Sequence, residues 1–270
     1  MTSSVEPAVS EAAITEAAQR LITAAESGVA GQPVRDLIGE RNLKAAYEVQ
    51  GQFNARRIDA GAVLVGRKIG ATSLAVQTQL GVDQPDLGVL FEDMDFTGRD
   101  VPMSRLIQPK IEGEVGFVLS KDLAEGDLDA EQVRDAISYA VAALEICDSR
   151  IANWDIAFGD TVADNASAGV YVLGAEKKTL DEVTPVEVEM TMTVNGEVVS
   201  TGNGAACLGD PINAVVWLAR MARDLGEPLR AGQVILSGAL GPMAPVAAGD
   251  TVTVTVTGLG TVTTTFVPEA

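Results

Sequence analysis

Two glutamates spaced two residues apart in an apolar run are the first side chains in this sequence with a pattern that could do chemistry. The stretch Ile107-Gln108-Pro109-Lys110-Ile111-Glu112-Gly113-Glu114-Val115-Gly116-Phe117-Val118-Leu119 reads as a β-strand. Side chains alternate across a strand, so Glu112 and Glu114 project from one face, a few ångströms apart. Two ionised carboxylates so placed repel one another and shift their pKa values unless a cation or a proton lies between them. A hard divalent ion with oxygen ligands, such as Mg²⁺, answers that repulsion. A sheet edge carrying two solvated glutamates answers it equally. A third glutamate, Glu145, interrupts the buried run Ala140-Val141-Ala142-Ala143-Leu144-Glu145-Ile146-Cys147. It strengthens the cluster reading, because acidic side chains are seldom buried unless paired or metal-bound. Lys68 lies in a further apolar strand, Ala62 to Gly70. There it is either a base or anion-binding group, or a lysine whose stem snorkels to the surface.

Composition narrows the chemistry. The chain has 270 residues and no histidine. Ser-His-Asp and Cys-His catalysis and imidazole metal sites are therefore excluded. Acid–base work near neutral pH falls to carboxylates, lysine, tyrosine or metal-bound water. The formal net charge of −19 argues against nucleic acid and anionic membranes as partners. No apolar run reaches the roughly 18 residues of a membrane span, and the N-terminus lacks the basic start and apolar core of a signal peptide. Two cysteines, Cys147 and Cys207, occur without a CxxC motif. The expectation is a reduced, cytoplasmic protein.

The elements that must position these residues run from helices to strands. Helical periodicity spans Glu11 to Glu26, ended by Gly28, and Leu43 to Ala60, ended by Gly61. This N-terminal helical segment, 1–61, carries no evident chemistry, and residues 1–10 read as frayed. Residues 62–270 form the catalytic part, continuous with it. Gly81 to Leu90 reads as a turn-rich loop holding Asp83 and Asp86. A short amphipathic helix follows from Asp127 to Tyr139, capped by Asp127 or Asp129. Asp148 to Phe158 reads as a polar connection, Asp164 to Gly169 as a small-residue loop, and Val170 to Leu173 as a strand. Val186 to Val194 alternates and turns at Asn195-Gly196. Asp210-Pro211 opens a helix that stops at Gly226. Gln233 to Gly238, Thr251 to Thr257 and Val262 to Val267 complete the strands. No dinucleotide or phosphate-loop fingerprint is present.

Five segments in order resemble one family: Gly66-Arg67-Lys68-Ile69-Gly70-Ala71-Thr72-Ser73, Gly81-Val82-Asp83-Gln84-Pro85-Asp86-Leu87-Gly88, Ile111-Glu112-Gly113-Glu114-Val115-Gly116-Phe117, Leu144-Glu145-Ile146-Cys147-Asp148-Ser149-Arg150-Ile151 and Ala163-Asp164-Asn165-Ala166-Ser167. Together they resemble the 2-hydroxypenta-2,4-dienoate (2-keto-4-pentenoate) hydratases of the fumarylacetoacetate hydrolase superfamily, whose near relatives are the 4-oxalocrotonate decarboxylases. The resemblance implies an α+β fold, a mixed β-roll or distorted barrel behind the N-terminal helices. It implies a Mg²⁺ or Mn²⁺ site at Glu112, Glu114 and Glu145, with Lys68 and Asp86 in the pocket. As catalysts those two would move protons, burial lowering the lysine pKa and raising that of the aspartate. Thr72, Ser73, Lys110, Ser167 and Ser237 are the substrate-binding candidates. The implied partner is a small 2-hydroxy-dienoate from aromatic-ring breakdown. The implied assembly is a homo-oligomer, with association to other meta-cleavage enzymes. A metal-dependent 4-oxalocrotonate decarboxylase is the alternative activity.

Overall fold

The computed structural model describes residues 9–73, 77, 82 and 84–268. Residues 1–8, Gly81 and Asp83, which entered the readings above, lie outside the described residues. Helix α1 (Glu11–Ser27) starts where the Ser10 side chain accepts a hydrogen bond from Ala13 N, and it ends at Gly28, whose φ is 67°. Ile14, Ala17, Ala18 and Leu21 form its buried face. After the short α2 (Arg35–Ile38), α3 (Leu43–Asp59) is capped by Asn42 and buries Ala46, Val49 and Phe53. These helices share an apolar cluster with Ile151, Phe158, Val162 and Ala163 from the second half of the chain.

The strands form two sheets. The first holds β1 (Leu64–Gly70), β2 (Asp86–Phe91), β4 (Lys110–Leu119), β5 (Ile137–Cys147), β6 (Ala168–Leu173) and β9 (Val234–Ala239) in the order β2-β1-β9-β4-β5-β6, with β10 (Ala244–Pro245) alongside β4. Within it, β1 runs parallel to β9 while the β4–β5 and β4–β9 pairs are antiparallel. The second sheet runs β3 (Val101–Pro102), β12 (Gly260–Val267), β11 (Thr251–Val256), β7 (Glu189–Val194), β8 (Glu197–Asn203). Alternation divides the central strands cleanly. Ile111, Val115 and Phe117 of β4, with Ala142, Leu144 and Ile146 of β5, enter the main core together with Val252 and Val254 of the second sheet. Glu112, Glu114 and Glu145 occupy the opposite face, enclosed because the first sheet curls. Its terminal strands approach each other, and Phe91 and Tyr171 pack in one cluster inside the curl. The mixed α+β roll expected from the sequence is thus the observed architecture.

Three local expectations are corrected. Asp86 to Leu90 is not loop but strand β2, buried throughout, because it pairs antiparallel with β1; the Pro85-Asp86 turn signal marks only its start. The stretch from Asp127 to Tyr139 is helical only over α4 (Ala130–Ala136), with Asp129 as its cap, and from Ile137 onward it is β5 paired with β4. The polar connection ends in α5 (Phe158–Ala163), every residue of which is buried. Helix α6 (Pro211–Asp224) begins at an Asp210 cap as expected. Among the described residues no helix is long and apolar enough to cross a membrane.

Asp160 on α5 joins the helical segment to the roll. Its fully buried carboxylate accepts from Val34 N at 2.9 Å, Arg35 N at 2.8 Å, Ala157 N at 2.8 Å and the Arg35 guanidinium at 2.7 Å. Removing it would leave several buried donors unpaired. Asp160→Ala should cost about 2–4 kcal/mol of unfolding free energy in denaturant titration. An unchanged midpoint would show that the helices are held by apolar contacts alone.

Candidate active site

The glutamate cluster is set by strand register. On β4 and β5 the paired positions are Lys110 with Cys147, Glu112 with Glu145, and Glu114 with Ala143. Lys110, Glu112 and Glu114 share one face of β4, and Glu145 and Cys147 share the same face of β5. All three glutamates are buried. One ligand atom each from Glu112, Glu145 and Cys147 lies within 4.8 Å of the others. Glu114 stands beside this group. Its Oε2 accepts from Gly238 N at 2.8 Å. Among the described residues, neither Glu114 Oε1 nor Glu145 Oε2, both buried, has a hydrogen-bond donor. Such oxygens are costly to leave bare, and they are the donor type a hard divalent cation takes.

Lys68 enters from β1. Its ammonium lies 3.0 Å from Glu145 Oε1 and donates to Ala166 O at 2.8 Å. Two glycines make room for this contact. A β-carbon on Gly88 would strike Asn165 O and sit 3.1 Å from the Lys68 stem; one on Gly70 would strike Asp86 Oδ1 and stand 3.4 Å from Lys68 Nζ. Asp86, the first residue of β2, receives a hydrogen bond from Thr161 of α5 at 3.3 Å. The loop that supplies Ala166 O is strained: Asn165, Ala166 and Ser167 have φ of 54°, 52° and 51°, a left-handed run that non-glycine residues seldom adopt. Asn165 holds it in place by accepting from Val89 N at 2.8 Å and donating to Val89 O at 2.9 Å.

The charges are strongly coupled. Burial raises the Glu112 carboxyl to about 7, with Glu145 adding to the effect and Lys68 opposing it. Burial, then Glu145 and Glu112, raise Glu114 well above the ordinary range. Asp86 is raised by burial against the pull of Lys68. The expectation of a lowered lysine pKa is overturned. Burial does pull Lys68 down, but Glu145, Cys147, Asp86 and Glu112 outweigh it and hold its pKa well above the usual lysine value. Lys68 is therefore an ammonium in this environment and not a ready-made base.

These groups face a cavity of about 110 Å³ lined by Lys68, Thr72, Ser73, Asp86, Glu112, Cys147, Thr161 and Ser167 among others. Larger cavities exist elsewhere. One of about 340 Å³ between the helices and the roll contains Arg56, Arg57, Arg105 and Arg150, each already in an ion pair with a carboxylate.

Of the positions named from sequence, Lys68, Asp86, Glu112, Thr72, Ser73 and Ser167 meet at the cavity, and Glu145 reaches it through Glu112 and Lys68. Glu114, Ser237 and Lys110 are not brought to its wall. The Ser237 hydroxyl donates to Val115 O at 2.8 Å within the sheet. The Lys110 ammonium stands over the Trp154 ring, 4.3 Å from its centroid. Sequence reasoning missed Cys147 and Thr161. The two-residue spacing from Glu145 was signal enough for Cys147; Thr161 had none, since only the packing of α5 brings it to Asp86.

A family model described as fumarylacetoacetate (FAA) hydrolase C-terminal matches residues 84–267. A "TodF product hydratase" of Pseudomonas putida is 53% identical over 255 residues, covering 94% of this chain and 95% of the relative. A "2-keto-4-pentenoate hydratase" of Paraburkholderia xenovorans is 52% identical over 252 residues, covering 93% and 94%. The solved 4-oxalocrotonate decarboxylase of Pseudomonas putida G7, complexed with magnesium and adipate, superposes with a TM-score of 0.91 at 33% identity, covering 97% of this chain and all of that one. Fold, glutamate cluster and these likenesses converge, and the chain belongs to the fumarylacetoacetate hydrolase family.

Proposed function

We propose that this chain is a divalent-metal-dependent hydratase that adds water to 2-hydroxypenta-2,4-dienoate, or a substituted analogue, to give 4-hydroxy-2-oxopentanoate. The observation that carries the reading is a set of buried carboxylates, two of whose oxygens lack a donor among the described residues, beside a cavity that also holds Lys68 and Asp86. The roughly half-identical hydratases support it. Glu112, Glu114 and Glu145 would hold the cation, with Mg²⁺ or Mn²⁺ suited to an all-carboxylate set. When bound, it supplies Lewis acidity toward the substrate's oxygens.

The protein's own groups then move the protons. Hydration needs the dienol proton removed and a proton added at C5, which yields a conjugated 2-oxo-3-enoate. Water then adds its oxygen to C4 and a proton goes to C3. The Lys68 ammonium neutralises the substrate's carboxylate charge and donates a proton. Asp86, raised by burial, takes the proton of the attacking water and returns one to carbon. Thr72, Ser73, Thr161 and Ser167 orient the substrate and water along the wall. The cavity also favours a monoacid. Lys68 is the cation among its described lining residues, and residues 74–83 contain no lysine or arginine. A second substrate carboxylate would lack a partner there.

The chain is further read as a homo-oligomer, a reading supported by exposed Val198 and Val199 on β8, an edge strand of the second sheet. A reducing cytoplasm suits its two free, buried cysteines.

Loss of dienoate ultraviolet absorbance on incubation with purified protein tests the activity. Carbon dioxide released from 2-oxo-3-hexenedioate would instead mark a decarboxylase. Glu145→Gln and Glu114→Gln should lose cation binding and turnover together. Lys68→Ala should still bind the cation while kcat falls by about 10²–10⁴; full turnover in that variant would remove Lys68 from the mechanism.

The raised carboxylates also set an unusual pH dependence for the metal-free protein. Glu112 moves from 4.5 to about 7 on folding, and Glu114 rises further. Between those values the folded chain retains protons that the unfolded chain has released, so stability falls as pH rises from about 4.5 to about 7. Chelator-treated protein should melt at lower temperature near pH 7 than near pH 5. Saturating Mg²⁺ should remove that slope by replacing the protons. A rise in melting temperature over this range without metal would contradict the electrostatics described.

A further inference from the structure

Cys147 is a donor at the glutamate cluster that an all-carboxylate reading leaves unused. It follows Glu145 by two residues on β5, points to the same face, and lines the cavity. Its Sγ donates a weak hydrogen bond to Glu112 Oε1 across 3.7 Å. A sulfur and an oxygen bound to one tetrahedral zinc, at about 2.3 and 2.0 Å, would stand about 3.5 Å apart. The observed pair is therefore close to chelating separation. Together with Glu145 these atoms fit within 4.8 Å of one another. A second observation points to a ligand there: among the described residues the buried Glu145 Oε2 has no hydrogen-bond partner.

We propose that Cys147 joins Glu112 and Glu145 to make this a mixed oxygen–sulfur site that captures thiophilic divalent cations such as Zn²⁺, Co²⁺ and Cd²⁺. The inference rests on the reading of the glutamates as a cation site and goes beyond it in naming the donor that decides which cations are held most tightly. A hard ion keeps carboxylate and water ligands and leaves the thiol as a hydrogen-bond donor to Glu112. A softer ion exchanges the thiol proton for a metal–sulfur bond, releasing that proton to solvent. Lys68 retains Ala166 O as acceptor when Glu145 turns to the metal. Cys207, the other free cysteine, is committed to Ser237 O at 2.9 Å and lies outside the three-residue group.

Titrating chelator-treated full-length protein with Co²⁺ tests this. The expected result is a near-ultraviolet sulfur-to-cobalt charge-transfer band, and for the Zn²⁺ form a single sulfur scatterer at about 2.3 Å in X-ray absorption. Cys147→Val should abolish the band and weaken Zn²⁺ at least about tenfold, while Mn²⁺ affinity, read by electron paramagnetic resonance, changes less than about threefold. Retained Mn²⁺ binding also shows that the variant is folded, and Cys207→Ala should keep the band. Tight Co²⁺ binding without a sulfur band, or unchanged Zn²⁺ affinity in Cys147→Val, would overturn the role of Cys147 and leave the cation site standing. Failure of the wild-type protein to bind Mn²⁺, Co²⁺ or Zn²⁺ would overturn both.

Discussion

Three carboxylates and one ammonium enclosed on a single face of a curled sheet are the constraint that the rest of this molecule accommodates. Glu112, Glu114 and Glu145 are almost fully removed from water, where unneutralised charge is expensive. Lys68 offsets part of that charge through its contact with Glu145. Protons offset more, which is why Glu112 and Glu114 hold theirs so far up the pH scale. Two carboxylate oxygens still have no donor among the described residues. A divalent cation resolves the remaining imbalance with the ligand type it prefers.

The surrounding fold keeps that imbalance from relaxing. Strand β4 is paired on both sides, with β5 and with β9, so Glu112 and Glu114 cannot turn outward without breaking two ladders. The strained loop at Asn165–Ser167 aims a carbonyl at Lys68 and is anchored through Asn165 to β2. Strain of this kind persists only where neighbouring contacts over-determine it. Further out, the Asp160 carboxylate gathers four donors and ties the N-terminal helices to α5, the helix that presents Thr161 to Asp86.

The relation of Lys68 to its neighbours shows how context reverses a simple rule. Burial alone lowers a lysine pKa. Here burial is the largest single influence, yet the acidic groups around Lys68 together exceed it. The same burial is opposed by too little positive charge at Glu112, Glu114 and Asp86, whose carboxyls are all raised.

Much of this was written in the local sequence. The two-residue spacing of Glu112 and Glu114 and the apolar run around them determined that the two carboxylates share a face, because strand alternation needs no tertiary information. Helix limits at Gly28 and Asp210-Pro211 were equally local, since caps act over a few residues. Tertiary structure decided the rest. Register placed Glu145 opposite Glu112 and brought Cys147 into the same group. Pairing with β1 made a strand of Asp86 to Phe91, and pairing with β4 ended α4 at Ala136. Lys110 and Ser237 had suitable chemistry but were taken by Trp154 and Val115. Spacing along a strand fixes which face a side chain takes; only the partners across the sheet and above it determine what that side chain meets.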